Sequence, residues 1–136
     1  MIIGGLTEAM SGADAFIGVS GKGLLKIEHV ASMAPRSIVF AMANPDPEIL
    51  PEEAKKAGAM VIATGRSDYP NQINNALVFP GIFRGALDKG VKKITEATKV
   101  RAAHALAALV AKPTVVKIIP DLLDARVVKA VANAVR

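Results

Sequence analysis

A chain of 136 residues suits one domain, long enough to withdraw about two-thirds of its unfolded surface from water. With 51% hydrophobic and 21% charged residues, eleven Gly and eight Pro, the composition excludes a disordered chain, and 4% aromatic residues without Trp leave no base-stacking surface for single-stranded nucleic acid. The formal charge of +5 favours anionic ligands, but Lys92, Lys93, Lys99, Arg101, Lys112 and Lys117 are dispersed rather than gathered into a run, so no nucleic-acid partner is expected.

Met1 to Thr7 has neither the charged start nor the apolar core of a signal peptide, and no apolar stretch approaches the roughly 20 residues of a membrane span. Three compact apolar segments follow, Ala15 to Val19, Ser37 to Met42 and Met60 to Thr64, each of strand length and flanked by Gly, Pro or polar residues. Leu25 to Ala34 and Pro51 to Ala57 between them read as helices, the second opened by Pro51, Glu52 and Glu53. This β-α-β-α-β pattern predicts an α/β parallel sheet of about three strands, over residues 1 to about 70, covered on both faces. From about 71 to 136 the chain reads as helical. Asn75 to Leu87 is a helix interrupted near Pro80 and Gly81, and Thr95 to Val110 is an Ala-rich helix apolar around much of its circumference, which calls for burial on two sides. Lys112 to Pro120 reads as an extended connector. Asp124 caps a last helix with the stripe Val127, Val128, Val131, Ala132 and Val135.

Ligands of open parallel sheets bind outside the carboxyl ends of the strands. The three loops leaving those ends are Gly18-Val19-Ser20-Gly21-Lys22-Gly23, Asn44-Pro45-Asp46-Pro47-Glu48 and Thr64-Gly65-Arg66-Ser67-Asp68. The first spaces its glycines as G-x-x-G-x-G, which is neither the dinucleotide fingerprint nor a P-loop. It suits either close backbone approach to a cofactor or a plain turn. Asn44, held extended by Pro45, carries an amide able to donate to and accept from a ribose or nicotinamide, or else simply initiates a turn. Asn71, Gln72, Asn74 and Asn75 crowd a helix entrance, where neutral donors and the helix terminus suit a carboxylate. Arg66 suits either an anionic ligand or an ion pair with Asp68. Asp46 and Glu48 fit a helix-approach loop better than an acid–base pair.

His29 and His104 sit in helices with no partner at metal-ligand spacing and read as structural. No nucleophile–base pair stands out, so no catalytic residue and no metal ligand is expected in the chain. Zero Cys excludes disulfides and thiolate metal sites and is compatible with a reducing cytoplasm.

At these loops the chain resembles the short bacterial and archaeal malic enzymes. The resemblance rests on Gly12-Ala13-Asp14-Ala15-Phe16-Ile17-Gly18-Val19-Ser20, on Phe40-Ala41-Met42-Ala43-Asn44-Pro45-Asp46-Pro47-Glu48, and most specifically on Thr64 to Asn75 continuing through Phe79-Pro80-Gly81-Ile82-Phe83-Arg84-Gly85-Ala86-Leu87-Asp88. It extends from about Gly5 to the last helix. It implies the carboxyl-terminal part of an NAD(P)-binding domain, a partial Rossmann-like sheet with flanking helices and a helical end. It also implies an enzyme that oxidises malate and decarboxylates the product to pyruvate with NAD or NADP, assisted by Mg²⁺ or Mn²⁺. Carried over by position, the resemblance makes Gly18, Val19, Ser20, Asn44 and Asn74 cofactor contacts, and Asn74 and Asn75 substrate contacts. The family's acid Tyr, base Lys, metal carboxylates and phosphate turn lie upstream of this region. The expectation is therefore a truncated, proteolysed or split-gene product, inactive alone, that self-associates or pairs with a companion chain. A non-catalytic dinucleotide-binding or oligomerisation module is the rival reading.

Overall fold

In a computed structural model, which describes residues 3–136, the chain divides into two compact units, Met1–Ile73 and Asn74–Arg136. Met1 and Ile2, the first residues of the segment tested above for a targeting signal, lie outside the described part.

The first unit runs α1 (Leu6–Met10), β1 (Ala15–Gly18), α2 (Ile27–Ala31), β2 (Ile38–Ala41), α3 (Pro51–Lys56) and β3 (Val61–Thr64). The strands form one parallel sheet in the order β1-β2-β3, with Gly18, Ala41 and Thr64 in register at its carboxyl edge. Each predicted strand is present, trimmed by one or two residues, with Val19, Ser37, Met42 and Met60 outside the ladder. The helix α1 carries no sequence signal of its own beyond Glu8, whose carboxylate accepts the Gly5 backbone N–H at 2.7 Å. His29 Nδ1 does the same for the Lys26 N–H at 3.2 Å and Glu53 for the Leu50 N–H at 3.3 Å. All three short helices are thus closed at their first turn by the third helical residue reaching back, which satisfies an amide that has no intrahelical partner.

Coverage of the sheet differs from the two-sided expectation. Parallel strands added in sequential order, each through a right-handed crossover, carry both crossover segments on the same face. Accordingly Met10, Leu25, Val30, Met33, Ile49, Ala54 and Ala59 gather over Val39 and Ala41, with Phe16 and Ile62 at the margin. On the opposite face Ile17 remains 68% and Ile38 37% exposed.

The second unit contains α4 (Phe79–Lys89), α5 (Glu96–Ala108) and α6 (Arg126–Ala134), preceded by a 3₁₀ turn at Asn75–Leu77. The predicted interruption near Pro80 and Gly81 falls instead at Val78. Pro80 lies in the first turn of α4, where a missing N–H costs nothing, so the proline starts the helix rather than breaking it. α6 packs against both α4 and α5 through Val127, Val131 and Val135. Gly81 and Gly85 bring α4 within backbone range of it. A Cβ on Gly81 would stand 2.5 Å from Val131 Cβ, and one on Gly85 2.5 Å from the Ala132 carbonyl oxygen. α5 buries one stripe, Thr98, Ala102 and Leu106, while Val100 stays 55% exposed. Its alanines are small enough to face water at little cost, so apolar composition overstated the need for two-sided burial.

Loop chemistry closes the unit. Thr95 Oγ1 accepts the Thr98 N–H at 3.2 Å, and Gly90, at φ +63°, ends α4 in the left-handed conformation favoured by glycine. Asp124 Oδ1 accepts the Arg126 N–H at 3.0 Å, and the Arg126 guanidinium holds its carboxyl down to about 2. The expected connector is a tight turn, Thr114 and Lys117 exchanging backbone hydrogen bonds of 3.1 and 3.0 Å around Val115 and Val116. Lys89 Nζ donates to the carbonyls of Ala132, Asn133 and Val135 at 3.1, 2.9 and 2.8 Å, satisfying the last turn of α6.

Gly85→Ala should lower the unfolding free energy by about 1–3 kcal/mol or more, because the added methyl meets backbone that cannot move aside alone. Gly21→Ala, where a Cβ meets nothing within 4 Å, should stay within about 0.5 kcal/mol. Urea unfolding of both variants, followed by circular dichroism, checks the contrast.

Candidate functional site

The carboxyl edge of the sheet is where the loops after β1, β2 and β3 emerge, and two carboxylates of the middle loop tie them together. Glu48 is fully buried. Its Oε1 accepts the Ser20 backbone N–H at 2.8 Å and the Ser20 hydroxyl at 2.9 Å, and its Oε2 accepts the Ala43 N–H at 3.0 Å. Asp46 turns the other way, toward the rim, pairing with Lys22 Nζ at 3.0 Å and Arg66 Nη1 at 3.7 Å. The loop expected to lead into α3 is therefore also the tie between its neighbours. The two acids thus engage separate sets of partners.

Glu48 explains the first glycine of the G-x-x-G-x-G loop. A Cβ on Gly18 would lie 2.5 Å from Glu48 Oε1 and 2.6 Å from the Phe16 ring, so only glycine lets the carboxylate reach Ser20. Gly23 has φ +67° and belongs to the turn, while Gly21 borders open space. Burial pushes the Glu48 carboxyl up, but the N–H groups of Ser20 and Ala43, its own N–H and the Ser20 hydroxyl outweigh it and leave the group below the usual glutamate range. Sequence reasoning passed over Glu48 in this role. The available signal was a carboxylate between Pro47 and Ile49 in the loop after β2, with the small donor Ser20 in the loop after the adjacent strand β1.

Arg66 resolves toward the ion-pair alternative. Its guanidinium donates to both Asp68 oxygens, Nε to Oδ1 at 2.9 Å and Nη2 to Oδ2 at 2.6 Å, and lies 5.4 Å from the centre of the Tyr69 ring. Asp68 is held below the ordinary carboxylate range by that pairing. Tyr69 donates to Glu52 at 3.3 Å, and burial followed by this bond raises its phenol above the ordinary value.

The amide-rich segment returns along β3. Ile73 N–H donates to the Thr64 carbonyl at 2.8 Å, and Gln72 bridges Thr64 in parallel. Asn71, buried and at φ +56°, donates its side-chain amide to the Ile62 carbonyl at 2.9 Å. Asn is among the few side chains that adopt this backbone readily. Asn74 Oδ1 accepts the Ala76 N–H at 2.9 Å, capping the 3₁₀ turn that begins at Asn75. Two of the four amides are thereby accounted for by the fold. The cluster precedes a 3₁₀ turn rather than α4 itself.

Of the predicted site residues, Gly18, Val19, Ser20 and Asn44 share the carboxyl edge of the first unit, with Val19 80% exposed and Asn44 exposed beside the cis Asn44–Pro45 peptide. Asn74 and Asn75 open the second unit, immediately after the residue hydrogen-bonded to the end of β3. His29 bridges α1 and α2, its Nε2 standing 3.3 Å from Thr7 Oγ1, and His104 is exposed on α5. Among the described residues there is no group of three or more His, Cys, Asp or Glu able to hold a metal ion, and no helix is long and apolar enough to cross a membrane.

Comparison with known proteins places this arrangement. The family model described as malic enzyme, NAD binding domain, matches residues 7–136. The chain is 54% identical over 134 residues to the bifunctional malic/malolactic enzyme of Bacillus subtilis, covering 97% of this chain and 33% of that protein. It is 47% identical to the NADP-dependent malic enzyme of Halomonas elongata, covering 96% of this chain and 35% of that protein. Among solved structures, the malic enzyme of Pyrococcus horikoshii superposes with a TM-score of 0.90 at 52% identity, covering 96% of this chain and 31% of that one. The chain thus spans about a third of the length of these two curated relatives.

Because the Glu48 carboxyl lies below its ordinary value when folded, its contribution to stability is fully present above the unfolded pKa and is lost as pH falls through the folded one. Carbon-detected NMR should show the Glu48 carboxyl titrating at lower pH than a free glutamate. Titration at or above the free value would remove the assigned hydrogen bonds.

Proposed function

As the chain belongs to the malic enzyme NAD-binding domain family, we propose that it serves an enzyme that oxidises malate at C2 and decarboxylates the product to pyruvate and carbon dioxide, with NAD or NADP. The observation that carries the reading is the joined rim, where the loops bearing Ser20 and Asn44 are tied by Glu48 at the edge where open parallel sheets bind ligands.

The rim's chemistry suits a dinucleotide. Val19 offers an exposed apolar surface, and the Asn44 amide both donates and accepts. The Ser20 hydroxyl has committed its hydrogen to Glu48, so toward a ligand its oxygen can only accept, as from a carboxamide or a ribose hydroxyl. Gly18, Val19, Ser20, Asn44 and Asn74 are assigned to the cofactor, and Asn74 and Asn75 to the malate carboxylate. The bound nicotinamide would supply the hydride acceptor. Neutral amides can orient a dianionic substrate without adding a titrating group.

A divalent metal, Mg²⁺ or Mn²⁺, belongs to the reading for the whole enzyme, but the described residues offer it no cluster of ligands, and no step is routed through it here. The reading places the enzyme in the cytoplasm and as an oligomer or beside a companion chain. In support, Phe79, Phe83 and Leu87 form an exposed stripe one helical turn apart on α4, at 50%, 61% and 75% exposure.

The test is a chimera in which this chain replaces the matching third of the Bacillus subtilis enzyme. Malate-dependent reduction of NAD⁺ or NADP⁺ is expected, and none from the 136-residue chain alone. Asn75→Ala in the chimera should raise KM for malate, and Asn44→Ala should raise KM for the dinucleotide, each by about tenfold or more. A folded chimera without turnover, beside an active parent, would overturn the proposal.

A further inference from the structure

Among the described residues Glu48 is the largest fully buried side chain and the only buried carboxylate, and none of their ion pairs includes it. All of its partners are donors on the two loops that carry Ser20 and Asn44. A carboxylate taken out of water in this way is costly unless its lone pairs are filled, and here three donors fill them. We propose that Glu48 is a positioning residue for the dinucleotide, setting the separation of the β1 and β2 loops and fixing the Ser20 hydroxyl as a hydrogen-bond acceptor toward the ligand. This rests on the cofactor reading given above.

The geometry distinguishes this from simple core filling. Oε1 engages residue 20, two positions beyond the end of β1, and Oε2 engages residue 43, next to Asn44, so one rigid three-atom group spans both loops. Gly18 has given up its Cβ to let it through. Glutamine is nearly the same shape but carries one acceptor oxygen and one amino group. Whichever way it turns, donors on one of the two loops face a donor. Glu48→Gln therefore frees one loop while leaving the volume filled, and in one orientation it also releases the Ser20 hydroxyl.

NAD⁺ titrations of the chimera that carries this chain in the Bacillus subtilis enzyme, followed by amide shifts at positions 18–23 and 43–44 of the inserted chain, test this beside a destabilised control. Val39→Ala removes buried volume from the same core without touching either loop. Below the melting temperatures of all variants, Glu48→Gln should weaken NAD⁺ binding about tenfold, and Val39→Ala should leave it within about twofold. Equal affinity in Glu48→Gln and the unaltered chimera would overturn the positioning role alone. Absence of NAD⁺ binding by the unaltered chimera, beside a parent enzyme that binds it, would overturn the cofactor reading and this inference with it. Should Glu48→Gln fail to fold, Glu48→Asp keeps the charge but withdraws it by one methylene. It should show the same weakening, and unchanged affinity there would overturn the role as well.

Discussion

A carboxylate shut away from water has to find its hydrogen bonds inside the fold, and the places where it finds them become fixed relative to one another. In this chain Glu48 does so with the loops after β1 and β2. The local sequence is arranged around that requirement. Gly18 clears the path, Ser20 supplies two donors from one residue, and Ala43 presents a buried N–H at the position before Asn44. Asp46, two residues earlier, extends the same tie outward to Lys22 and Arg66 and so brings in the third loop. The buried tie and the exposed one differ in kind. Charge-assisted bonds to a desolvated carboxylate are largely indifferent to salt, whereas the Asp46 pairs are open to solvent and weaken as ionic strength rises.

The scaffold beneath the rim follows from connectivity. Three parallel strands in sequential order place their crossovers on one side, so a single apolar layer centred on Val39 and Ala41 supports all three loops. The face bearing Ile17 and Ile38 is also apolar but lacks that layer, and Ile17 stays 68% exposed there.

Much of this was legible in the sequence. Apolar runs bounded by Gly and Pro marked the three strands, because a strand buried in a parallel sheet announces itself by composition over a short length. The two short helices between them were legible from Pro51 with its acids and from the spacing of Leu25 to Ala34. The three loops at the carboxyl edge were also legible, since topology alone sends parallel strand ends to one edge. What periodicity could not convey was the direction of individual side chains. Glu48 and Asp46 are alike in sequence, both flanked by proline, yet one is buried and the other lies at the rim. Asn71 and Asn75 likewise look equivalent until the left-handed backbone at Asn71 turns its amide onto Ile62. The helix α1 escaped notice because five residues hold too little periodicity to register. α5 was over-read because a count of alanines says nothing of which ones face water.

The glycines of α4 carry a further consequence. Gly81 and Gly85 set two helix backbones against each other with no room for a methyl group, while Phe83 and Leu87 on the same helix face outward. The helix is therefore asymmetric in what it can absorb. Substitutions on the outer side change only what the surface offers to other molecules. Any growth on the inner side pushes α6 away, and the grip of Lys89 on that helix's final carbonyls would have to stretch or break with it. A change of surface character is thus cheap for this unit, and a change in the spacing of its helices is not.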